Sequence, residues 1–107
     1  MPERPDLSVV VPLLNERESL PELAAWIERV TSEAALRYEL IFVDDGSSDG
    51  SWEEISRLAG TTPSVRGIRF RRNYGKSAAL YCGFEAARGE VVITCRTPPT
   101  RSPNSTG

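Results

Sequence analysis

Apolar residues along this chain fall into two alternating patterns. Short runs rich in β-branched and other apolar residues are typical of strands, and they occupy residues 7–12, 38–43, 65–70 and 90–94. Between these runs, apolar residues recur three or four positions apart, which predicts helices over about residues 20–36, 52–59 and 75–88. The order β-α-β-α-β-α-β predicts an α/β protein with a Rossmann-like parallel sheet, right-handed crossovers and helices on both faces.

Local signals refine the position of each element. The run at 38–43 is apolar almost throughout, as in a parallel strand buried on both faces. The run at 65–70 alternates apolar and basic residues, and we expect it nearer an edge of the sheet. Ser19 followed by Glu22 forms a capping-box pattern before the first helix. Asn73 is a candidate cap for the third helix.

The loops after the first three strands carry polar and charged side chains. In a parallel sheet the carboxyl ends of the strands lie at one edge, where ligands bind. Carboxylates there accept hydrogen bonds from a base or a ribose, and cations or the amides that open a helix bind phosphate. The sequence therefore predicts a nucleoside diphosphate site from Pro12, Asn15 and Glu16, from Asp44, Asp45, Gly46 and Ser47, and from Arg72, Asn73, Gly75 and Lys76. For the acidic turn at 44–50 alone, capping of the second helix by Ser48 or Asp49 is an alternative interpretation.

Composition and charge limit the classes of function. The 107 residues hold 13 basic and 15 acidic side chains, and the net charge of −2 gives no overall field for nucleic acid or a membrane surface. Five basic residues between Arg66 and Lys76 have no acid among them, which favours an anion site over a solvated basic edge. The chain has no histidine and two cysteines, so histidine catalysis, Cys/His zinc sites and a disulfide framework are not expected.

Three common ligand motifs are incomplete. Gly75-Lys76-Ser77 lacks the earlier glycine of a P-loop, because Phe70 stands at that position. No G-x-G-x-x-G follows the first strand, so the dinucleotide fingerprint is absent. The acidic turn is similar to the start of a calcium loop, but the twelfth position is Ser56 where that loop needs glutamate.

The two ends of the chain differ from the part between them. The N-terminal residues are polar, and no apolar run approaches the roughly 18 residues needed to cross a bilayer, so we expect a cytoplasmic protein. Residues 95–107 contain three prolines and no large apolar side chain. We therefore expect one folded, nucleotide-binding domain part over residues 1–94, followed by an aberrant, disordered tail.

Three segments together resemble family 2 glycosyltransferases. They are residues 11–20, 43–49 and 71–80, which read VPLLNERESL, VDDGSSD and RRNYGKSAAL. The resemblance covers about residues 7–94 and is strongest to the branch that uses polyprenyl phosphate as acceptor. It implies the nucleotide-binding half of a GT-A fold and transfer of a sugar from a UDP- or GDP-sugar with inversion. It also implies that an intact relative works at the cytoplasmic face of a membrane.

The resemblance implies a nucleotide side and a phosphate or acceptor side for the site. Asp45 contacts the base, and Leu14 stands where the family often has tyrosine, so a ring contact is lost there. Arg72 and Lys76 lie near the phosphate or the acceptor, and no catalytic residue is assigned within this chain. The nucleotide-binding residues that the resemblance implies are Pro12, Leu14, Glu16, Val43, Asp44 and Asp45.

The sequence departs from the family pattern after the fourth strand. In the family such a strand leads to an Asp-x-Asp motif, whose carboxylates hold Mg²⁺ or Mn²⁺ on the diphosphate. Cys95, Arg96 and Thr97 stand there instead, and arginine does not ligate a metal. We hypothesise that the residues after about Thr94 are a frameshifted or prematurely ended tail. An Asp-x-Asp continuation in another frame of the coding DNA supports this hypothesis, and its absence from all frames contradicts it.

Three functional interpretations remain open at this stage. The first is a truncated glycosyltransferase with weak nucleotide binding and little or no transfer. The second is a non-catalytic nucleotide-binding module whose partner chain supplies the metal site. The third is an inactive fragment, whose uncovered sheet edge and helix face lead to self-association. Nucleotide calorimetry and light scattering distinguish binding from self-association.

Overall fold

A computed structural model describes residues 4–95, which contain four strands and three α-helices. The expected tail at residues 95–107 lies outside the described residues, apart from Cys95. No helix within residues 4–95 combines the length and apolar character needed to cross a membrane. The elements are β1 (Leu7–Leu13), α1 (Leu20–Glu33), β2 (Tyr38–Asp44), α2 (Ser51–Thr61), β3 (Val65–Arg69), α3 (Lys76–Ala86) and β4 (Val91–Thr94).

The four strands form one parallel sheet in the order β3-β2-β1-β4. The predicted alternation of elements and the parallel sheet are confirmed, and β3 is an edge strand as its alternating sequence indicates. After α3 the chain returns to the other side of β1, where Leu7 lies opposite Val91. The strand order therefore reverses at β1, and α/β proteins bind ligands beside such a reversal.

Two apolar layers cover the faces of the sheet, so the predicted helices on both faces are confirmed. The larger layer lies under α1 and α2 and includes Phe42 and Ile55, which are both fully buried. Burial of each such side chain contributes about 1.5–3 kcal/mol to folding. The smaller layer lies under α3 and consists of Val10, Ile41, Val43 and Ala79.

Small residues let α3 approach the sheet closely. Ala79 is fully buried against the smaller layer. Gly83 lies one turn further along, and a Cβ atom added there would be 2.2 Å from Val10 Cγ1. Because such a separation is a steric overlap, the position of α3 depends on glycine at this contact.

Backbone conformation changes the predicted helix ends. α1 stops before Ala35, whose φ of 56° lies in the left-handed region. A 3₁₀ turn at Arg17–Ser19 precedes α1, and the Ser19 side chain makes no capping hydrogen bond, so the predicted capping box is not formed. α3 begins directly after Gly75, whose φ is 105°, so the prediction of Asn73 as the cap is wrong.

A buried polar cluster lies at the amino end of the sheet, away from the predicted site. Glu39 is only 5% exposed and accepts hydrogen bonds from Ser8 Oγ at 2.5 Å and the Arg88 amide at 2.6 Å. Arg66 Nη1 donates to the other Glu39 oxygen at 2.7 Å and to Ala86 O at 3.1 Å. Burial by itself raises the pKa of Glu39, but these donors outweigh it and hold the pKa below its ordinary value.

Arg66 therefore lies away from the anion site predicted between Arg66 and Lys76, so that part of the prediction is wrong, whereas the part that concerns Arg72 and Lys76 stays a prediction. β3 is an extended strand of five residues, and it separates Arg66 at the amino end of the sheet from Lys76 at the other end. Arg69 lies over the Trp52 ring, with its guanidinium carbon 5.6 Å from the ring centre. Extended backbone spreads these charges over the length of the sheet.

The two edge strands of the described sheet differ in charge. β3 carries Arg66 and Arg69, and charged side chains of this kind protect an edge from pairing with another chain. β4 carries no charged side chain, and Val91, Val92 and Ile93 are 56%, 39% and 45% exposed. The β4 edge therefore combines free backbone groups with an exposed apolar surface.

Candidate functional site

A cleft of about 360 Å³ opens at the carboxyl ends of β1 and β2 and beside the start of α3. Its walls come from the β1–α1 loop, the acidic turn after β2 and the β3–α3 loop. The three loops singled out from the sequence therefore do meet in space. The residues that line the cleft are Pro12, Leu13, Leu14, Glu16, Asp45, Asn73, Gly75 and Lys76.

Hydrogen bonds hold the β1–α1 loop against the acidic turn. The Asn15 amide donates to Ser47 Oγ at 2.8 Å, and Asn15 Oδ1 accepts from the Ser48 amide at 2.8 Å. Asn15 has a φ of 55°, a left-handed conformation that asparagine tolerates better than most residues. This pair of contacts fixes one wall of the cleft to another.

Asp49 joins the acidic turn to α2. Its Oδ1 accepts from the Ser51 amide at 2.9 Å and from Ser51 Oγ at 2.6 Å, and its Oδ2 accepts from the Arg17 amide at 3.3 Å. Burial alone raises the pKa of Asp49, but these donors hold the pKa below its ordinary value. Asp49 therefore binds the first amide of α2, but the cap residue of α2 is Gly50 and not Ser48 or Asp49 as the alternative interpretation expects.

Two carboxylate oxygens near the cleft are buried and have no hydrogen-bond partner among residues 4–95: Asp44 Oδ2 and Glu16 Oε1. Asp44 is fully buried, and its other oxygen accepts from the Ser47 amide at 2.8 Å. Glu16 lines the cleft, and its amide donates to Ser51 Oγ at 3.2 Å. Buried acceptors in proteins are normally paired, so these two oxygens are exceptions that ask for a donor.

Asp45 faces the β3–α3 loop and is only 5% exposed. Its Oδ1 accepts from the Tyr74 amide at 2.7 Å, and its Oδ2 accepts from the Gly75 amide at 3.1 Å. The Asp45 amide donates to Leu13 O at 2.9 Å. Asp45 therefore contacts all three elements that surround the cleft, and each of its carboxylate oxygens already has one donor.

The two cations predicted for the phosphate side have different surroundings. Lys76 is the first residue of α3, is exposed, and lines the cleft. The free amides in the first turn of α3 add partial positive charge beside it. Arg72 is exposed and is not among the lining residues. Its guanidinium carbon lies 5.3 Å from the centre of the Tyr74 ring, and its Nε donates to Tyr74 Oη at 3.3 Å.

The apolar residues predicted for the nucleotide side do not all line the cleft. Pro12 is half-buried and Leu14 is 41% exposed, and both line the cleft. Val43 is fully buried in the layer under α3 and is not among the lining residues. Leu13 lines the cleft but was missed, and its place as the last residue of β1 is the signal that points to it.

The described residues do not fit a divalent cation by themselves. Within residues 4–95, no three histidine, cysteine, aspartate or glutamate side chains are grouped so as to hold a metal ion. Asp44 and Asp45 are adjacent in sequence, but they accept hydrogen bonds from different neighbours, Ser47 for the former and the β3–α3 loop for the latter.

Comparison with known proteins identifies relatives of this chain. Residues 8–95 match the family described as Glycosyl transferase family 2. An undecaprenyl-phosphate 4-deoxy-4-formamido-L-arabinose transferase from Aeromonas hydrophila is 41% identical over 102 residues, covering 91% of this chain and 31% of the relative. A protein of the same name from Pseudomonas fluorescens is 42% identical over 102 residues, covering 91% and 30%. The chain thus spans less than a third of the length of these curated relatives.

Solved structures agree with this assignment. The mannosyltransferase PcManGT from Pyrobaculum calidifontis, in complex with GDP-Man and Mn²⁺, has a TM-score of 0.73 and 27% identity, covering 89% of this chain and 28% of that one. A fragment of TarS from S. aureus in complex with UDP shares the fold, with a TM-score of 0.71, 21% identity, and coverage of 86% and 27%. The resemblance and the GT-A fold expected from the sequence are confirmed. The chain belongs to glycosyl transferase family 2.

Proposed function

We propose that this chain binds the nucleoside diphosphate of a UDP- or GDP-sugar in the cleft at the carboxyl end of its sheet. It does so as the donor-binding part of a glycosyltransferase that transfers the sugar, with inversion, to a polyprenyl phosphate. The observation that carries this proposal is the buried, unpartnered Glu16 Oε1, which shares the cleft with Lys76. A hydrogen-bond acceptor and a cation in one cleft match the two ends of a nucleoside diphosphate.

The base and ribose fit the side of the cleft formed by the β1–α1 loop. A base N–H or a ribose O–H supplies the donor that Glu16 Oε1 lacks, and Asp44, at the end of β2, offers a second buried acceptor in its Oδ2. Pro12 and Leu14 offer apolar surface against which a ring packs. Val43 supports this side from the core.

The diphosphate fits the side of the cleft formed by the start of α3. Lys76 contributes a full positive charge, and the free amides of the first helical turn contribute directed donors. Arg72 lies outside the cleft, on the exposed loop, and suits an approach by the phosphate of the acceptor. We propose the polyprenyl acceptor because the names of both relatives specify undecaprenyl phosphate, and we propose the cytoplasmic face of a membrane as the location with it.

In this reaction the residues of the chain hold the donor while an acceptor oxygen displaces the nucleotide from the sugar. A divalent cation, which the PcManGT complex contains as Mn²⁺, would stabilise the charge on the leaving diphosphate if one is bound. Lys76 neutralises part of the same charge by direct contact with phosphate oxygens.

A second function, a nucleotide-binding module without catalysis, is favoured by Cys95, Arg96 and Thr97, which stand where the family pattern has Asp-x-Asp. Both functions predict nucleotide binding, but only the first predicts transfer. An assay of the purified chain with UDP- and GDP-sugars, Mn²⁺ and a polyprenyl phosphate distinguishes them. Transfer supports the enzyme, and binding without transfer supports the module.

The single lysine of the sequence allows a direct test of binding. Reductive methylation with ¹³C-formaldehyde labels only Lys76 and the N-terminal amine, because no other lysine is present. We expect UDP or GDP to shift the Lys76 methyl resonance and to leave the terminal resonance unchanged. Isothermal titration calorimetry of the unlabelled chain then gives the Kd.

Matched variants test the two ends of the cleft separately. Glu16→Gln replaces one acceptor oxygen by a donor group, and we expect roughly three- to tenfold weaker UDP and GDP binding. Its control is Glu18→Gln on the adjacent exposed turn. Lys76→Met is expected to weaken binding about tenfold, with Arg29→Met on the exposed side of α1 as its control. No binding of either nucleotide at millimolar concentration, or equal effects from variant and control, contradicts the proposal.

A further inference from the structure

The acidic turn and the β3–α3 loop are in unusually close contact. A Cβ atom added to Gly46 would lie 2.6 Å from the carbonyl carbon of Arg72 and 2.7 Å from the amide nitrogen of Asn73. Gly46 also has a φ of 90°, which favours glycine. Only glycine at this position lets the two backbones approach so closely.

Beside this contact, Asp45 supplies the hydrogen-bond acceptors for the end of the loop. Tyr74 and Gly75 lie outside any strand or helix, and each donates its amide to one oxygen of the Asp45 carboxylate. Tyr74 is 56% exposed, so its backbone lies close to solvent. The buried carboxylate therefore anchors a loop that has little packing of its own.

We propose that Asp45 is a positioning residue for the phosphate side of the cleft. Gly75 directly precedes Lys76, so the two amide contacts fix the first turn of α3 relative to the β1–α1 loop. Asp45 thus sets the distance between the acceptor end of the cleft, at Glu16, and its cationic end, at Lys76. The identity of the ligand rests on the proposed function, but the anchoring of the loop does not.

This role differs from a direct contact between Asp45 and the base in one measurable respect. A base contact affects only ligands that carry a base. Anchoring of Lys76 affects every ligand that carries a diphosphate, including inorganic pyrophosphate. Loss of the anchor therefore weakens the binding of UDP, GDP and pyrophosphate by similar factors.

The first experiment measures amide exchange in the free chain by NMR. In the wild type we expect the Tyr74 and Gly75 amides to be protected, although both lie outside any strand or helix. Asp45→Asn replaces one acceptor oxygen by an NH₂ group that opposes an amide donor, and we expect exchange at these two amides to rise at least about tenfold. Asp49→Asn is the matched control, because Asp49 also accepts backbone amides, but from Arg17 and Ser51 rather than from the β3–α3 loop.

The second experiment measures the Kd of pyrophosphate and UDP for the same variants, together with the ¹³C-methyl resonance of Lys76. We expect Asp45→Asn to raise the Kd of both ligands by about the same factor, on the order of tenfold. We also expect it to shift the Lys76 resonance in the ligand-free chain. Asp49→Asn is expected to leave the pyrophosphate Kd unchanged.

Each outcome supports or overturns the proposal. Unprotected Tyr74 and Gly75 amides in the wild type overturn it, even if the variant does not fold. Weaker UDP binding with an unchanged pyrophosphate Kd overturns it in favour of a base contact. If the wild type binds neither ligand, the proposed function fails, whereas amide protection that is lost in Asp45→Asn still supports the anchoring.

Discussion

Substitution of Glu39 by glutamine tests how much the polar cluster at the amino end of the sheet contributes to stability. Glutamine has almost the same shape as glutamate, so the substitution removes charge without opening a cavity. Its oxygen can keep the hydrogen bonds from Ser8 Oγ and the Arg88 amide. In the wild type, Arg66 Nη1 donates to Glu39 at 2.7 Å. In the variant, the NH₂ group of the glutamine faces Arg66 Nη1 instead. Two donors oppose each other at that point.

The expected loss follows from this geometry. A hydrogen bond to a charged group contributes about 1.5–3 kcal/mol when it is buried. The Arg66 side chain is 36% exposed, so water partly replaces its lost partner, and we expect a decrease of about 2 kcal/mol in the free energy of unfolding at pH 7. For a domain of this size that corresponds to a fall in Tm of roughly 8–16 °C.

The effect also depends on pH with a defined sign. The folded-state pKa of Glu39 lies below its ordinary value, so its ionised form stabilises the fold above the unfolded-state pKa. That contribution is lost as the pH falls through the lower, folded-state pKa. The difference between wild type and Glu39→Gln is therefore expected to be largest near neutral pH and to shrink on acidification.

Urea denaturation followed by circular dichroism at a series of pH values measures both quantities. Glu85→Gln on the exposed side of α3 removes the same charge without touching the cluster, and it should change stability by less than about 0.5 kcal/mol. If Glu39→Gln is as stable as this control at pH 7, or if its deficit does not narrow in acid, the reasoning about the cluster is refuted.

Two further predictions concern packing and association. Gly83→Ala places a methyl group 2.2 Å from Val10 Cγ1 and should lower the free energy of unfolding by about 1–3 kcal/mol. Gly60→Ala in α2 has no atom within 4 Å of the new methyl group and should raise that free energy by about 0.5–1 kcal/mol. Urea denaturation checks the pair, and equal effects would contradict the packing described for α3. We also expect the chain to self-associate through the uncharged β4 edge, and Val92→Lys should raise the monomer fraction in sedimentation velocity. An unchanged monomer fraction at the same concentration excludes that edge as the contact.

Much of the fold was predictable because it depends on short stretches of sequence. The apolar runs and the helical spacing identified all four strands and all three helices of the described region. The predicted helix ends were less accurate. α1 ends shortly before Ala35 and α3 begins directly after Gly75, and both of these residues have positive φ angles. Such angles are weakly encoded in residue type, especially for alanine.

The candidate site was predictable to a similar extent. Loops after parallel strands must meet at one edge of the sheet, and this rule predicted the residues that line the cleft. Leu13 was the exception among them. The partners of those residues were not predictable. Asp45 accepts hydrogen bonds from amides about thirty positions away in sequence. Arg66 pairs with Glu39 because both residues lie near the amino ends of neighbouring parallel strands.

The sequence by itself determined the succession of elements, the buried and exposed faces, and the family to which the chain belongs. These features are local, because each depends on the periodicity or the identity of neighbouring residues. Tertiary contacts place β4 beside β1, leave one buried oxygen of Glu16 and one of Asp44 without a partner among residues 4–95, and bring the Gly75 amide to Asp45. These features depend on contacts between residues far apart in the chain, which form only when the strands have paired and the helices have packed against them.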